Sequence, residues 1–263
     1  MQKHILITND DGFESEGLKA LVEAMRPLGH VTVTAPATEK SACGHSLTLT
    51  SPLRFVKIED DFFKLDNGTP SDCIYLSLHA LFKKNKLPDL VVSGINKGSN
   101  MGEDITYSGT ASAAMEAVLQ GIPAISFSQV YKNSSIYIKD NGYELAKQYA
   151  QIIAKKVLDG GFPLEKRKFL NVNIPPIKKS DCKGIKITHA GYKEYGHSAQ
   201  LHTNPRGEEH YWIGAHRLKW QLTPKRTCDF SAIEDNYVSI SPIKLNMSAY
   251  EDIEKLKSWI GEQ

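Results

Sequence analysis

Two acids, Asp10 and Asp11, stand side by side where the apolar run of "KHILITNDDGFESEGLKAL" ends. Neighbouring side chains on an extended strand point to opposite faces. The pair converges on one ligand only if the chain has left the pleat by Asp10, with Gly12 freeing the turn beyond. They are either two metal ligands or a polar strand end before a turn. Two other stretches are rich in similar groups. "ATEKSACGHS", with Ser41, follows a strand pattern in which Val31 and Val33 alternate and which stops at Pro36, and "GINKGSNMGEDITYSGT", with Asn96, Asn100, Ser108 and Thr110, follows "LVVS". Carboxylate, amide carbonyl and hydroxyl oxygens are hard donors that suit one divalent ion, Mg²⁺ or Mn²⁺, and leave room for water.

The third stretch also favours an anion. Gly94, Gly98, Gly102 and Gly109 let the backbone approach a ligand closely. Ser108-Gly109-Thr110 leads into an Ala-rich helix whose first N–H groups and dipole favour phosphoryl oxygens. The spacing is neither that of a P-loop nor that of the dinucleotide fingerprint G-x-G-x-x-G. A divalent ion beside such a helix terminus suggests hydrolysis of a phosphate ester, with the ion polarising a phosphoryl oxygen, acidifying water, or both. A covalent aspartyl-phosphate route competes, because an acid at a strand end can be a nucleophile. The D-x-D spacing of haloacid-dehalogenase-type phosphatases is missing, which weighs against it.

The segments around these loops alternate between strand and helix patterns. Ile5-Leu6-Ile7 is a continuous apolar run, and Leu18, Leu21, Val22, Met25 and Leu28 recur at helical spacing up to Gly29. After the second strand come two candidate strands, "SLTLTSPLRFVKI" and "DFFKL". Next is a helix in "GTPSDCIYLSLHALFKK", capped by Thr69 with Pro70 at its first position. "DLVVSGIN", "IPAISFS" and "KFLNVNIP" read as strands, and "TASAAMEAVLQG" and "GYELAKQYAQIIAKKVLDGG" as helices. Alternation of this kind implies an α/β fold, with a mostly parallel sheet covered on both sides. In such sheets ligands gather at the carboxyl ends of the strands, where all three oxygen-rich loops fall.

The texture changes after about Pro176. "GIKITHAGYKEYG", "EEHYWIGAHRLKWQL" and "NYVSISPI" look like strands joined by long polar loops, with little apolar surface to bury against themselves. The chain thus divides near residue 176, with a strand-rich stretch beyond it that leans on the main domain or on another subunit, and it closes with a helical segment within residues 246–263. In that helix Ser248 and Glu251 have capping-box spacing, and Ile253, Leu256 and Ile260 form an apolar stripe.

A net charge of +2 gives no reason to expect a nucleic-acid polymer or a membrane surface as partner, and no apolar stretch is long enough to span a bilayer. Cys43, Cys73, Cys182 and Cys228 form no C-x-x-C pair, and the N-terminus has no secretory pattern. Reduced thiols in a cytoplasmic protein are expected.

"ILITNDDG", "APATEKSACGHSLTLTSP", "GTPSDC", "VVSGINKGSNMGEDITYSGTASAAMEA" and "YVSISPI" together resemble, in this order, the SurE family of stationary-phase survival proteins. The likeness is close over about residues 3–128 and takes in the later "YWIG" and "YVSISPI". "NDDG" alone is a weak signal; its combination with the glycine- and asparagine-rich stretch is highly specific. The resemblance implies a Rossmann-like three-layer catalytic core over residues 1–176 and, over residues 177–245, a β-hairpin extension with a returning strand, the hairpin exchanged between subunits of a homodimer or homotetramer; a terminal helix over residues 246–263 is expected to pack on the core. It also implies a metal-dependent nucleotidase acting on nucleoside 5′- and 3′-monophosphates, in some members also on short polyphosphate. Carried over by position, the metal ligands are Asp10, Asp11, Ser41 and Asn96, with Asp10, Asp11 and Asn96 in the catalytic set. Asn96, Gly98, Ser108, Gly109 and Thr110 are the phosphate contacts. One departure stands beside the site: Ala37 and Thr38 occupy positions where many relatives carry an acid and a base, which bears on loop charge and substrate preference.

Other side chains have weaker claims. His45 is a candidate general acid or a plain loop histidine, and Asn9 a partner to a carboxylate or a turn former. Glu103 and Asp104 are candidate ion contacts, and Lys97, Lys193 and Arg206 candidate phosphate contacts. Tyr192, Tyr195, Tyr211 and Trp212 could stack on a base or pack an interface. The sequence identifies no general acid or base. A non-catalytic nucleotide-binding module on the same fold is the alternative from another class.

Overall fold

Ile5, Leu6 and Ile7 are all fully buried, as a strand covered on both faces requires. Ile5 and Ile7 join Leu18, Leu21, Phe127 and Ile153 in one core, while Leu6 joins Ile74, Val91 and Ala113 in a second. These residues are seen in a computed structural model that describes residues 2–82, 86–130, 142–193, 199–213, 220–221 and 227–261. The strands are β1 (His4–Thr8), β2 (His30–Pro36), β3 (Arg54–Glu59), β4 (Phe62–Asp66), β5 (Leu90–Lys97), β6 (Ala124–Gln129) and β7 (Lys168–Ile174), then β8 (Ile185–Ile187), β9 (Tyr192–Lys193), β10 (Ala199–Thr203), β11 (Glu209–Ile213), β12 (Trp220–Gln221) and β13 (Val238–Lys244). Nine of them form one sheet in the order β3-β4-β2-β1-β5-β6-β7-β13-β8. The pairings from β4 through β7 are parallel, whereas β3 on β4 and β13 on β7 are antiparallel.

Helices α1 (Glu16–Met25) and α4 (Glu144–Gly160) cover one face of the sheet, and α2 (Pro70–Leu76) and α3 (Gly109–Leu119) the other. The result is the mostly parallel α/β sheet expected from the alternating pattern. Side-chain caps set where three of these helices start. Ser15 accepts the Leu18 N–H, Thr69 and Asp72 form a reciprocal capping box, and Ser108 accepts the Ala111 N–H.

Three local expectations need correction. The "SLTLT" part of the first β-rich segment is not a strand. The Thr48 N–H and hydroxyl both donate to the Asp72 carboxylate, at 2.9 and 2.7 Å, so this stretch docks on the start of α2 instead of joining a ladder. The terminal helix, α6 (Ile253–Ile260), starts later than the Ser248–Glu251 spacing suggests and has no side-chain cap. Upstream, Asn246 Oδ1 accepts the Ser248 N–H at 3.1 Å and Asn246 Nδ2 donates to Tyr250 Oη at 2.7 Å, forming a separate turn there. Nor does α6 pack on the core of this chain: none of its residues is buried, and Leu256, Trp259 and Ile260 face solvent. Both faces of the sheet are already covered by α1 to α4.

After β7 the chain forms the edge strand β8, passes through β9 to β12, and returns to the sheet by way of a short helix, α5 (Asp229–Glu234), and β13. β10 and β11 pair as an antiparallel hairpin in which every strand residue is exposed. Among the described residues no helix is long and apolar enough to cross a membrane.

Candidate functional site

β1 lies between β2 and β5, so the strand order turns back between β1 and β5. At such a switch point the loops from the carboxyl ends leave in opposite directions and open a crevice. Asp10 and Asp11 follow β1 at this position, and Asn96 lies near the end of β5.

β1 stops at Thr8, and the chain bends at Asp10 and Asp11, so both acids sit in the strand-to-helix turn. Asn9 shapes this turn: its Nδ2 donates to the Gly12 carbonyl at 2.9 Å and to Ser15 Oγ at 2.7 Å. Gly12 has φ +96°, and a Cβ there would lie 3.3 Å from the carbonyl carbon of Thr38. The first and second loops pass too closely there for an ordinary side chain.

Asp10 is 3% exposed. Its Oδ2 accepts the Thr110 N–H at 3.0 Å and its Oδ1 the Thr110 hydroxyl at 2.5 Å. Asp11 Oδ2 accepts the Lys97 N–H at 3.0 Å. The two carboxylates thus bind opposite ends of the third loop, yet Asp10 remains within the field of Asp11. Burial pushes the Asp10 carboxyl up to about 6; the Thr110 hydroxyl opposes this and the Asp11 charge adds to it. Asp11 is also raised, by burial first and by the charge of Glu39, against the Lys97 N–H. Two adjacent desolvated carboxyls, only partly offset by hydrogen bonds, are an electrostatic seat for a cation.

The remaining oxygen donors come from the other two loops. The β5–β6 register shifts between Ser93 and Asn96, a bulge of the kind that re-aims a side chain. Asn96 Nδ2 donates to the Gly98 carbonyl at 3.0 Å, which turns its Oδ1 the other way. Ser41 is exposed and its Oγ donates to Glu39 at 2.7 Å. Its loop is tied to the site by the Lys40 N–H on the Asp10 carbonyl at 2.7 Å and the Gly44 N–H on the Tyr107 carbonyl at 2.9 Å. Among the described residues no three His, Cys, Asp or Glu side chains cluster as a metal site. An ion here would need serine and asparagine oxygens beside the two acids. That hard donor set fits Mg²⁺ or Mn²⁺. Asn9 Oδ1, buried in the same turn with no hydrogen-bond partner, makes the region still richer in acceptors.

The phosphate candidates divide. Ser108 caps α3 through its Oγ, and the first N–H of the helix, that of Gly109, has no intrahelical acceptor. Gly109 also touches Asp10: a Cβ there would lie 2.8 Å from Asp10 Cβ and 3.0 Å from both Asp10 Oδ2 and Cys43 Sγ. Thr110 and Gly98 are not open in the way the sequence suggests. Thr110 gives its N–H and its hydroxyl to Asp10, and the Gly98 N–H donates to the Gln129 carbonyl at 3.0 Å. Asp10 itself occupies one of the anion positions at the helix terminus.

The weaker candidates mostly lie elsewhere. His45 Nε2 meets Glu116 Oε2 at 3.0 Å, two turns along α3. Lys193 engages Glu103 through its N–H and Asp104 through its ammonium group, so those three groups serve the junction with the extension. Arg206 lies in the exposed turn between β10 and β11. Tyr192, Tyr211 and Trp212 are exposed strand residues, and Tyr195 lies outside the described residues.

The sequence reading missed the polar groups beneath the third loop. Asn100 gives its N–H to Asn173 Oδ1 at 2.9 Å, and its carbonyl accepts from Asn171 Nδ2 at 2.8 Å and Asn173 Nδ2 at 3.0 Å. Asn100 Nδ2 donates to Ser128 Oγ at 2.8 Å. The available signal was the alternation of Asn in "LNVNIP", which places two amides on one face of an otherwise apolar strand.

A doubly wound α/β sheet with an oxygen-rich crevice at its switch point defines a Rossmann-like class of protein. Within that class the chain belongs to the SurE family: the family model described as "Survival protein SurE" matches residues 5–197. It is 61% identical over 261 residues to a protein of Sulfurovum sp. (strain NBC37-1) named 5′-nucleotidase SurE, covering 99% of each chain. A protein of the same name from Aliarcobacter butzleri (strain RM4018) is 60% identical over 260 residues, covering 98% of this chain and 99% of the other. Among solved structures, the SurE protein from Aquifex aeolicus superposes with a TM-score of 0.83 at 40% identity, over 98% of this chain and 99% of that one.

Proposed function

We propose that the chain is a SurE-type nucleotidase that hydrolyses nucleoside 5′-monophosphates, and 3′-monophosphates as well, to nucleoside and phosphate, with short polyphosphate as a further substrate. The observation that carries this reading is the meeting of a buried acid with the start of α3, beside a second, half-buried acid: Asp10 is bonded to Thr110 within one turn of the Ser108 cap, and Asp11 follows it directly in the chain. The name 5′-nucleotidase borne by full-length relatives supports the same reading.

Asp10, Asp11, Ser41 and Asn96 would hold one Mg²⁺ or Mn²⁺ ion. When bound, such an ion supplies charge that polarises a phosphoryl oxygen and acidifies water. The Thr110 hydroxyl and N–H keep Asp10 ionisable and fix its direction. The Ser108 hydroxyl and the Gly109 N–H receive phosphoryl oxygens at the positive end of α3. The exposed Leu201, Tyr211, Trp212 and Ile213 of the β10–β11 hairpin support a homodimer or homotetramer formed through the extension.

Purified chain incubated with AMP or GMP and Mn²⁺ or Mg²⁺ is expected to release inorganic phosphate, and both chelator and Asp10→Asn are expected to stop it. Release that survives both treatments would overturn the reading. Nucleotide binding without release would leave a binding module, and a trapped phosphoenzyme would point to the covalent route.

A further inference from the structure

The third loop and the base of the extension meet on a single buried carboxylate. Asp229, in the first turn of α5, is fully buried. Its Oδ2 accepts the Gly102 N–H at 2.8 Å, and its Oδ1 accepts the N–H groups of Gly191 and Phe230, both at 2.9 Å. The segments it joins are in close contact. A Cβ on Gly102 would lie 2.6 Å from the Gly191 carbonyl oxygen, and a Cβ on Gly191 2.7 Å from the Phe230 ring. Two residues further on, the Lys193 N–H donates to Glu103 Oε2 at 2.8 Å and its ammonium group to Asp104 Oδ2 at 2.6 Å.

From Gly102 a chain of backbone hydrogen bonds leads into the site. The Met101 carbonyl accepts the Asp104 N–H, and the Asp104 carbonyl accepts those of Tyr107 and Ser108. The Tyr107 carbonyl then accepts the Gly44 N–H of the Ser41 loop. A buried carboxylate is costly unless donors surround it, and three backbone N–H groups satisfy this one. None of the three belongs to the nine-stranded sheet. The anchored segments are the 3-10 turn Gly102–Thr106, which runs into the Ser108 cap, and the root of the extension.

We propose that Asp229 is a positioning residue for the phosphate end of the site. It fixes the turn that ends at Ser108 and seats that turn on the base of the extension. The inference rests on the reading of Ser108 and Gly109 as phosphate contacts. Asp10 and Asp11 follow the end of β1 and are hydrogen-bonded to Thr110 and Lys97, not to the Gly102–Thr106 turn itself, so the cation seat depends on this anchor less directly than Ser108 does.

The test is calorimetric titration of the full chain with Mn²⁺ alone, and of the Mn²⁺-loaded chain with inorganic phosphate. Asp229→Asn keeps the shape of the side chain but turns one acceptor into a donor facing a backbone N–H. It is expected to weaken phosphate binding on the order of tenfold while Mn²⁺ affinity stays within about twofold. With AMP, KM is expected to rise more than kcat falls. A folded Asp229→Asn protein that binds phosphate as tightly as wild type overturns the proposal. If that variant does not fold, Lys193→Met decides, with a loss of about threefold expected and an unchanged affinity overturning it. Wild-type chain that binds phosphate but releases none from AMP breaks the nucleotidase reading alone; wild-type chain that binds no phosphate breaks both.

Discussion

The crevice and the extension invert the usual distribution of side chains in opposite senses. Around the crevice, Asp10, Asn171, Asn173 and Asp229 are buried where apolar residues would pack more simply. In the extension, Tyr211, Trp212 and Ile213 are 66% to 95% exposed, where polar residues would be better solvated. Burial of a polar group is close to neutral only when each hydrogen bond is made, and exposure of apolar surface forfeits about 25 cal/mol per Å². Neither pattern stabilises the isolated chain. The buried polar groups converge on the third loop and the start of α3, which suits ligand chemistry; the exposed apolar groups line a hairpin, which suits a partner surface.

The largest test of that contrast is Asp10→Asn or Asp11→Asn. Loss of phosphate release on the order of 10³-fold or more is expected, with the circular dichroism of the fold retained. Nearly wild-type release would reduce the two acids to structural groups. Gly109→Ala places a methyl group against Asp10 and Cys43, and a fall in kcat/KM of about 10²-fold is expected with little change in secondary structure. Asn173→Ala leaves the Asn100 N–H without its acceptor. Urea unfolding should show a loss of about 1–3 kcal/mol, and a neutral result would mean that the amides do not hold the third loop.

For the extension, the double change Tyr211→Ser with Ile213→Ser is expected to lower the assembly mass seen by light scattering. The unfolding free energy of the monomer should shift by only about 0.5 kcal/mol. An unchanged mass would assign the exposed hairpin residues to something other than self-association. The smallest effect is expected at the opposite end of β1. Burial first, and then the neighbouring His30, lower the pKa of His4, with Asp61 and Asp89 opposing. The folded state therefore resists protonation that the unfolded chain accepts near its ordinary 6.5, so stability is lost as pH falls below that value. His4→Gln should flatten this part of the pH–stability profile without altering phosphate release.

Local signals carried most of the sheet. Continuous apolar runs marked β1 and β5, strand-like stretches marked β6 and β7, and Thr69-Pro70 marked the start of α2, because burial on both faces and capping leave residue-level traces. The three site loops were legible for the same reason: each follows a strand pattern. The hydrogen-bond partners of those loops were not. Whether Thr110 faces a ligand or Asp10 depends on how closely α3 approaches β1, a distance no local pattern encodes. Asp229 lies 127 residues from Gly102, and nothing in its short helix, "DFSAIE", sets it apart from an ordinary first-turn acid. The Ser248–Glu251 spacing misled because a nearby asparagine provides a competing turn.

The shifted register on β5 has a consequence for how this chain tolerates insertions and deletions. Successive strand residues face alternate sides, so removing one residue upstream in β5 would exchange the direction of Asn96 with that of a neighbour, either fully buried Ile95 or exposed Lys97. A single codon lost there would replace an amide at the crevice with an aliphatic or an ammonium group while leaving the strand composition almost intact. The turn between β10 and β11, exposed and tied only to itself, carries no such reading frame. Length variation is therefore expected to collect in the hairpin and to be purged from the strand that ends in the crevice.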